Sequence, residues 1–161
     1  MDKYARCGID VSAKQLVVVV QREGRNQPAR SFANSRQGHK ELKRYLAGAG
    51  SRLRVCLEST GLYGLDVALF LHADTRFEVM VANPRAVKNF AQALLERSKR
   101  DPIDARVLAE YAARMPFQAW QPPSPAALSV TALARRIHAL TESATRGRRT
   151  VCTPCQPRPP R

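Results

Sequence analysis

Four acidic residues stand out by where they fall: Asp10, Glu58, Asp101 and Asp104. Asp10 interrupts the apolar run "CGIDV", where a carboxylate between Ile9 and Val11 is costly to bury without a partner. Glu58 is the last residue of a second apolar run, "LRVCLE", next to the turn "STG". Asp101 and Asp104 lie three residues apart at the head of "DPIDARVLAEYAAR", with Arg97, Lys99, Arg100 and Arg106 around them. If these four acids converge, they repel one another unless they are protonated or hold cations. Hard carboxylate oxygens suit Mg²⁺ or Mn²⁺, and a pair of such ions assists displacement at a phosphodiester. A structural reading is equally open at this point. It gives Asp10 a strand-end hydrogen bond, leaves Glu58 at the surface, and uses the Asp pair to cap a helix. Asp101-Pro102-Ile103-Asp104 scans as N-cap, N1, N2 and N3, and both acids suit the positive end of the helix dipole.

The elements that must position these residues alternate in a recognisable way. "YARCGIDV" (4–11), "QLVVVVQ" (15–21) and "ARSFAN" (29–34) read as three successive strands. Four consecutive valines are too continuous for a half-exposed strand and predict burial on both faces. Asn34-Ser35 offers a cap for a helix carrying Leu42, Tyr45 and Leu46. "LRVCLE" (53–58) is a fourth strand, "LYGLDVALFLH" a helix and "FEVMVAN" (77–83) a fifth strand. Asn83-Pro84 starts a helix whose Val87, Phe90, Ala91, Leu94 and Leu95 share one face. The Asp101 helix follows, packing through Ile103, Val107, Leu108 and Tyr111. Three strands and then alternating strands and helices predict a mixed central sheet with helices on both faces.

A break comes at "FQAWQPPSP" (117–125), from which Trp120 is expected to fold back. Ser124-Pro125 can start a further helix through "AALSVTALARRIHAL". The ending "RGRRTVCTPCQPRPPR" is basic and rich in proline, holding four of the chain's 11 prolines.

The 161 residues carry 27 Lys and Arg against 13 Asp and Glu, a formal charge of +14, which points to a polyanionic partner, foremost nucleic acid. Residues 135–161 hold seven Arg and one Glu, so +8 remains on residues 1–134 and the basic signal is not confined to the ending. Arg85, Lys88, Arg97, Lys99 and Arg100 are the candidate phosphate contacts. No apolar run approaches the roughly 20 residues of a membrane span, no signal peptide is legible, and no membrane partner is expected. Cys7 and Cys56 sit in apolar runs as small hydrophobes, a usage that fits a reducing cytoplasm. Cys152-x-x-Cys155 has metal-ligand spacing but lacks a second ligand pair. His39, His72 and His138 are scattered and given no role.

Taken together, "CGIDVSAKQLVVVV", "VCLESTGLYGLDVALFL", "VANPRAVKNFAQAL" and "SKRDPIDARVLAEYA" resemble the N-terminal domain of the DEDD transposases of the insertion-sequence 110 family. The resemblance covers roughly residues 5–145, in the family's order and spacing. It implies an α/β, ribonuclease H-like (RuvC-like) fold, a mixed five-stranded sheet with helices on both faces. It also implies that Asp10, Glu58, Asp101 and Asp104 are the four metal ligands, with two Mg²⁺ or Mn²⁺ ions. The implied activity is site-specific DNA recombination guided by a structured (bridge) RNA of the element. In such enzymes a serine nucleophile lies in a C-terminal domain beyond a coiled-coil arm.

This chain departs from that pattern at its end, which predicts a truncated transposase unable to complete recombination alone. The organisation expected is a catalytic domain over 1–116, a Pro-rich linker over 117–125, the start of the helical arm over 126–146 and a disordered basic tail over 147–161. Homo-oligomerisation is expected through the 126–146 helix. Two other readings remain, a stand-alone RuvC-like structure-specific nuclease and a non-catalytic nucleic-acid-binding remnant. An actin-like kinase, which also opens on a Gly-x-Asp strand, ranks last because its further glycine-rich phosphate loops are not found.

Overall fold

A computed structural model describes residues 4–50, 52–58, 63–94 and 101–149, the side chains of 101, 102 and 146–149 excepted. The chain divides into two compact units, Met1–Pro122 and Pro123–Arg161.

The first unit opens with β1 (Ala5–Val11) and β2 (Gln15–Arg22), paired antiparallel with Asp10 opposite Val17. All six residues from Leu16 to Gln21 are buried, so the valine run does face packed layers on both sides. A two-residue turn then adds an element that the sequence pattern did not announce, β3 (Arg25–Asn26). Glu23 and Gly24 both take positive φ, 50° and 75°, the twist that a tight hairpin between right-twisted strands requires. β4 (Arg30–Ala33) continues along the same edge of β2. After α1 (Arg36–Ala47), β5 (Leu53–Glu58) inserts parallel to β1. α2 (Leu65–His72) leads to β6 (Phe77–Ala82), parallel to β5. The sheet order is β3-β2-β1-β5-β6 with β4 also on β2, a mixed sheet of six strands, the sixth being the two-residue β3. α3 (Pro84–Ala93) and α4 (Asp101–Arg114) complete the unit.

Local signals set most of the helix starts. Ser35 accepts a hydrogen bond from the Gly38 N–H, and Asn83 accepts one from Arg85 N–H with Pro84 next in the helix. α4 begins at Asp101 itself, one residue earlier than the capping pattern suggested. Pro102 then falls at a position whose N–H has no helical partner anyway.

Alternation along the strands separates two cores. Cys7, Ile9, Leu16, Val18, Val20, Val55 and Leu57 pack with α1 and α2 through Leu42, Leu46, Val67 and Leu71. On the other face, Cys56, Met80 and Ala82 meet Val87 of α3 and Val107, Leu108 and Ala112 of α4. Val17 and Val19 meet Ala105 and Ala109 of α4. Both Cys7 and Cys56 are buried thiols, and burial pushes Cys56 up to about 12, so both act as packing groups. Residues after α4 cover the exposed edge of β6: the Trp120 N–H donates to the Val79 carbonyl at 2.7 Å, and the indole meets His72 edge-on.

Gly8 is where the α4 layer approaches most closely. A Cβ there would run into the Ala105 carbonyl oxygen and the Ala109 nitrogen and sit 2.9 Å from the Leu108 Cβ. Those obstacles are mostly helix backbone, which cannot rotate aside.

The second unit contains α5 (Pro125–Arg149), whose first turn is capped by the Ser124 hydroxyl accepting from the Ala127 N–H at 3.3 Å. Val130, Leu133, Ile137 and Leu140 are exposed along it at spacings of three, four and three. No helix among the described residues is long and apolar enough to cross a membrane.

Gly8→Ala is expected to destabilise the domain by roughly 3 kcal/mol, at the upper end of ordinary overpacking, because backbone rather than side chain must yield. Chemical denaturation of the purified variant measures it. A loss below about 1 kcal/mol would mean that α4 shifts at little cost.

Candidate functional site

Asp10 lies one residue before the end of β1, and Glu58 is the last residue of β5. The parallel register pairs Gly8 with Cys56 and Ile9 with Leu57, so the next step along both strands brings Asp10 beside Glu58. Adjacent strands lie about 4.8 Å apart. Side chains alternate, and Gly8 and Cys56 both face α4, so Asp10 and Glu58, two residues further on, face the same layer. Both are half-buried.

The direction of α4 follows from its contacts. Its last turns lie over the start of β1: Glu110 accepts from the buried Gln21 amide at 2.7 Å and from Asn26 at 3.3 Å. Gln21 is the register partner of Arg6, and Arg114 holds the other Glu110 oxygen at 3.0 Å. Ala105 and Ala109 pass over Gly8 in the middle of the strand. The helix therefore runs antiparallel to β1, and its first turn, with Asp101 and the half-buried Asp104, lies toward the Asp10–Glu58 end. The side chain of Asp101 lies outside the described residues. Among the described residues, no group of three or more His, Cys, Asp or Glu side chains is close enough to hold a metal ion. What the backbone brings to one end of the sheet is a set of hard-oxygen donors, the type that Mg²⁺ and Mn²⁺ select.

Arg85 and Lys88 are exposed on α3. That helix leaves the same end of the sheet, since Ala82, just before its cap, is the register partner of Glu58. Arg97, Lys99 and Arg100 lie outside the described residues, as do Ser59, Thr60, Cys152 and Cys155. Ser12 serves the β1–β2 turn: its hydroxyl donates to the Gln15 carbonyl at 2.9 Å and accepts from the Gln15 N–H at 3.1 Å.

Sequence reasoning overlooked the tie beside this end of the sheet. The Asn34 side-chain amide donates to the Ser12 carbonyl at 2.8 Å and to the Tyr63 carbonyl at 3.2 Å. Its oxygen lies 2.8 Å from Nε2 of His39, and its N–H donates to the Lys14 carbonyl at 2.9 Å. Asn34 thus joins the loop after Asp10, the start of α1 and the approach to α2. An Asn before a helix cap was the one signal, and it read as a second cap candidate. His39 is buried against Phe70, and burial holds its imidazole below the ordinary value of 6.5, the Asp66 charge opposing in part.

A cleft of about 620 Å³ lined by Tyr4, Arg6, Gln21, Glu23, Glu110 and Arg114 opens at the start of β1, away from Asp10 and Glu58.

The family model for transposases of the DEDD, insertion-sequence 110 type matches residues 7–152. The pilin gene-inverting protein of Moraxella bovis is 31% identical over 109 residues, covering 66% of this chain and 34% of its own length. That of Moraxella lacunata is similar to the same extent. The chain therefore spans about a third of the length of the curated relatives it matches. Among solved structures, RuvC of Thermus thermophilus in complex with a Holliday junction substrate superposes with a TM-score of 0.50 at 15% identity, covering 70% of this chain and 96% of that one. At that identity the likeness is one of fold, and it identifies the sheet and helices as RuvC-like.

The buried imidazole sets a pH dependence. His39 binds a proton less readily folded than unfolded, so its contribution to stability is full above about pH 6.5 and declines as pH falls through that value. The decline is at most about 1.4 kcal/mol per pH unit. Unfolding free energies at pH 7.5 and 5.5 should fall more steeply for the wild type than for His39→Gln. Equal slopes would remove the imidazole from the account.

Proposed function

From the DEDD transposase family, to which this chain belongs, we propose that it forms the catalytic domain of a DNA recombinase whose carboxylates hold two divalent ions for phosphodiester cleavage and strand transfer. The observation that carries this reading is the convergence of Asp10 and Glu58 on one face at adjoining strand ends, with the first turn of α4 directed to the same end. Mg²⁺ or Mn²⁺ bound there would activate an attacking oxygen and stabilise a leaving one. Asp10 and Glu58 come from the rigid centre of the sheet and would fix the position of the site. Asp101 and Asp104 come from the helix and would complete it. Arg85 and Lys88 would hold phosphates beside it, with Arg97, Lys99 and Arg100 from the segment that precedes α4. These contacts would position DNA without reading its bases.

The substrate event we assign is DNA rearrangement of the kind for which the pilin gene-inverting proteins are named. Strand transfer would need the serine nucleophile that the family resemblance assigns to a further domain. A structured RNA of the element would choose the DNA sites. The apolar stripe of α5 would meet a second copy of the chain.

Thermal unfolding with and without Mn²⁺ tests the site. Native-state binding at a hundredfold excess over Kd adds about 2.7 kcal/mol of stability. The wild type should show that gain, while Asp10→Asn and Asp104→Asn should lose it and be more stable than the wild type without metal, because repulsion is relieved. A gain that persists in both variants would place the metal elsewhere. Cleavage of branched DNA by the isolated chain would instead identify a self-sufficient nuclease.

A further inference from the structure

On the sheet face opposite α4, six exposed cations gather around α1 and the outer edge of the sheet. Arg36, Lys40 and Arg44 recur every four residues along α1, a spacing that stacks like charges on one helix face and disfavours the helix. At the end of that helix the stripe meets the hairpin. Arg22 and Arg25 are direct register partners across β2 and β3, again like charge against like. The Arg22 guanidinium donates to the Gly48 carbonyl just past α1, and the Arg30 guanidinium stacks on Tyr45 of α1 at 4.8 Å.

These anchors are informative because both are neutral. A carbonyl and an aromatic ring fix two guanidinium groups in place and compensate their charge only in part. Among the described residues, no carboxylate forms an ion pair with any of the six. Of the nearby acids, Asp74 is the one taken up by other cations. Glu41 accepts from Gln37 at 2.9 Å, Asp74 is bridged by Lys43 and Arg76, and Glu23 lines the cleft at the start of β1. The chain thus holds a row of exposed cations, two of them anchored by neutral groups, at two positions where like charges face each other. That arrangement raises the free energy of the isolated domain and is relieved by a polyanion.

We propose that this face binds the phosphate backbone of a second DNA segment, separate from the one at the carboxylates. The inference rests on the reading of the chain as a DNA recombinase. A twelve-residue helix is about 18 Å long, the axial length over which one strand of a duplex presents about five phosphates. The sheet stands between this face and the α4 layer, and the stripe runs from Arg36 along α1 to the hairpin at the opposite end of the sheet from Asp10 and Glu58. Recombination joins two DNA segments, and two basic surfaces on opposite faces of one sheet hold them apart without any base contact.

The test is fluorescence anisotropy of a labelled DNA duplex of about 20 bp, roughly 68 Å and so longer than the helix face, across a salt series. Wild type is compared with Arg25→Gln/Lys40→Gln/Arg44→Gln and with Arg85→Gln/Lys88→Gln. All five side chains are exposed, and melting curves check that each variant folds. The triple variant should lower the slope of log K against log salt by about 2.7 and weaken binding at least tenfold; the double variant should lower it by up to about 1.8, and the losses should add when combined. An unchanged slope in the triple variant overturns the second surface, while metal-dependent stabilisation through Asp10 would still uphold the recombinase reading. A triple variant that loses affinity only for a duplex RNA of the same sequence, run in parallel, also overturns it and assigns the face to RNA. Loss of slope in a chain whose stability ignores Mn²⁺ would keep the surface and discard the recombinase reading.

Discussion

The close approach of α4 to β1 at Gly8 is the contact on which the remaining arrangement depends. Helix backbone occupies the volume where any other residue would carry a Cβ, and Ala105 and Ala109 keep the helix side of the contact equally thin. A helix held that close has little freedom to tilt or slide, since its backbone and the strand's interlock without flexible side chains between them. Its direction is then fixed at the far end by Glu110, whose two oxygens are divided between Gln21 and Asn26 on one side and Arg114 on the other. With the middle and the end pinned, the first turn has one place to go, the end of the sheet where β1 and β5 deliver Asp10 and Glu58.

The two faces of the sheet are packed differently. The α1–α2 side carries the larger apolar core, with Leu42, Leu46, Leu57 and Leu71 fully buried. The α4 side is built from small residues and valines and turns polar at both ends. Acids are scarce in this chain, 13 against 27 Lys and Arg, so gathering carboxylates at one sheet end sets a local negative charge inside a positive field. Such a field draws nucleic acid to the surface from a distance, while the carboxylates repel phosphate at short range until cations intervene. Under the proposed two-ion reading, bound metal would act as an electrostatic gate, for which this charge pattern would supply both the attraction and the barrier.

What the sequence made legible was local. The valine run forecast a strand buried on both faces, and Ser35, Asn83 and Ser124 marked helix starts that the structure retains. The end of "LRVCLE" fell where β5 ends, at Glu58. What stayed hidden was non-local or depended on backbone angles. Gly8 looked like any glycine in a strand, because the helix that needs its missing Cβ lies about a hundred residues away. The hairpin at Glu23-Gly24 was missed because its first residue is an ordinary glutamate placed at positive φ. Asn34 looked like a cap, but its amide serves three separate segments, and no periodicity in the chain announces that. The antiparallel course of α4, which decides whether its acids meet those of the sheet, rests on the Gln21–Glu110 bond between residues 89 positions apart.

For the proposed site, the two roles open to Asp101, cap and ligand, are compatible given the direction of α4. A helix N-terminus carries about half a positive charge from its unpaired N–H groups, and here that end is aimed at the Asp10–Glu58 end of the sheet. A partial positive charge so placed favours the ionised form of every carboxylate near it, including those of its own first turn. It therefore lowers the cost of holding acids together before any cation binds. The features that make Asp101-Pro102-Ile103-Asp104 a good helix start are thus the ones that suit it to sit against two further carboxylates. Capping and ligation call for the same residues at the same place, and a sequence that satisfies one has already met most of the requirements of the other.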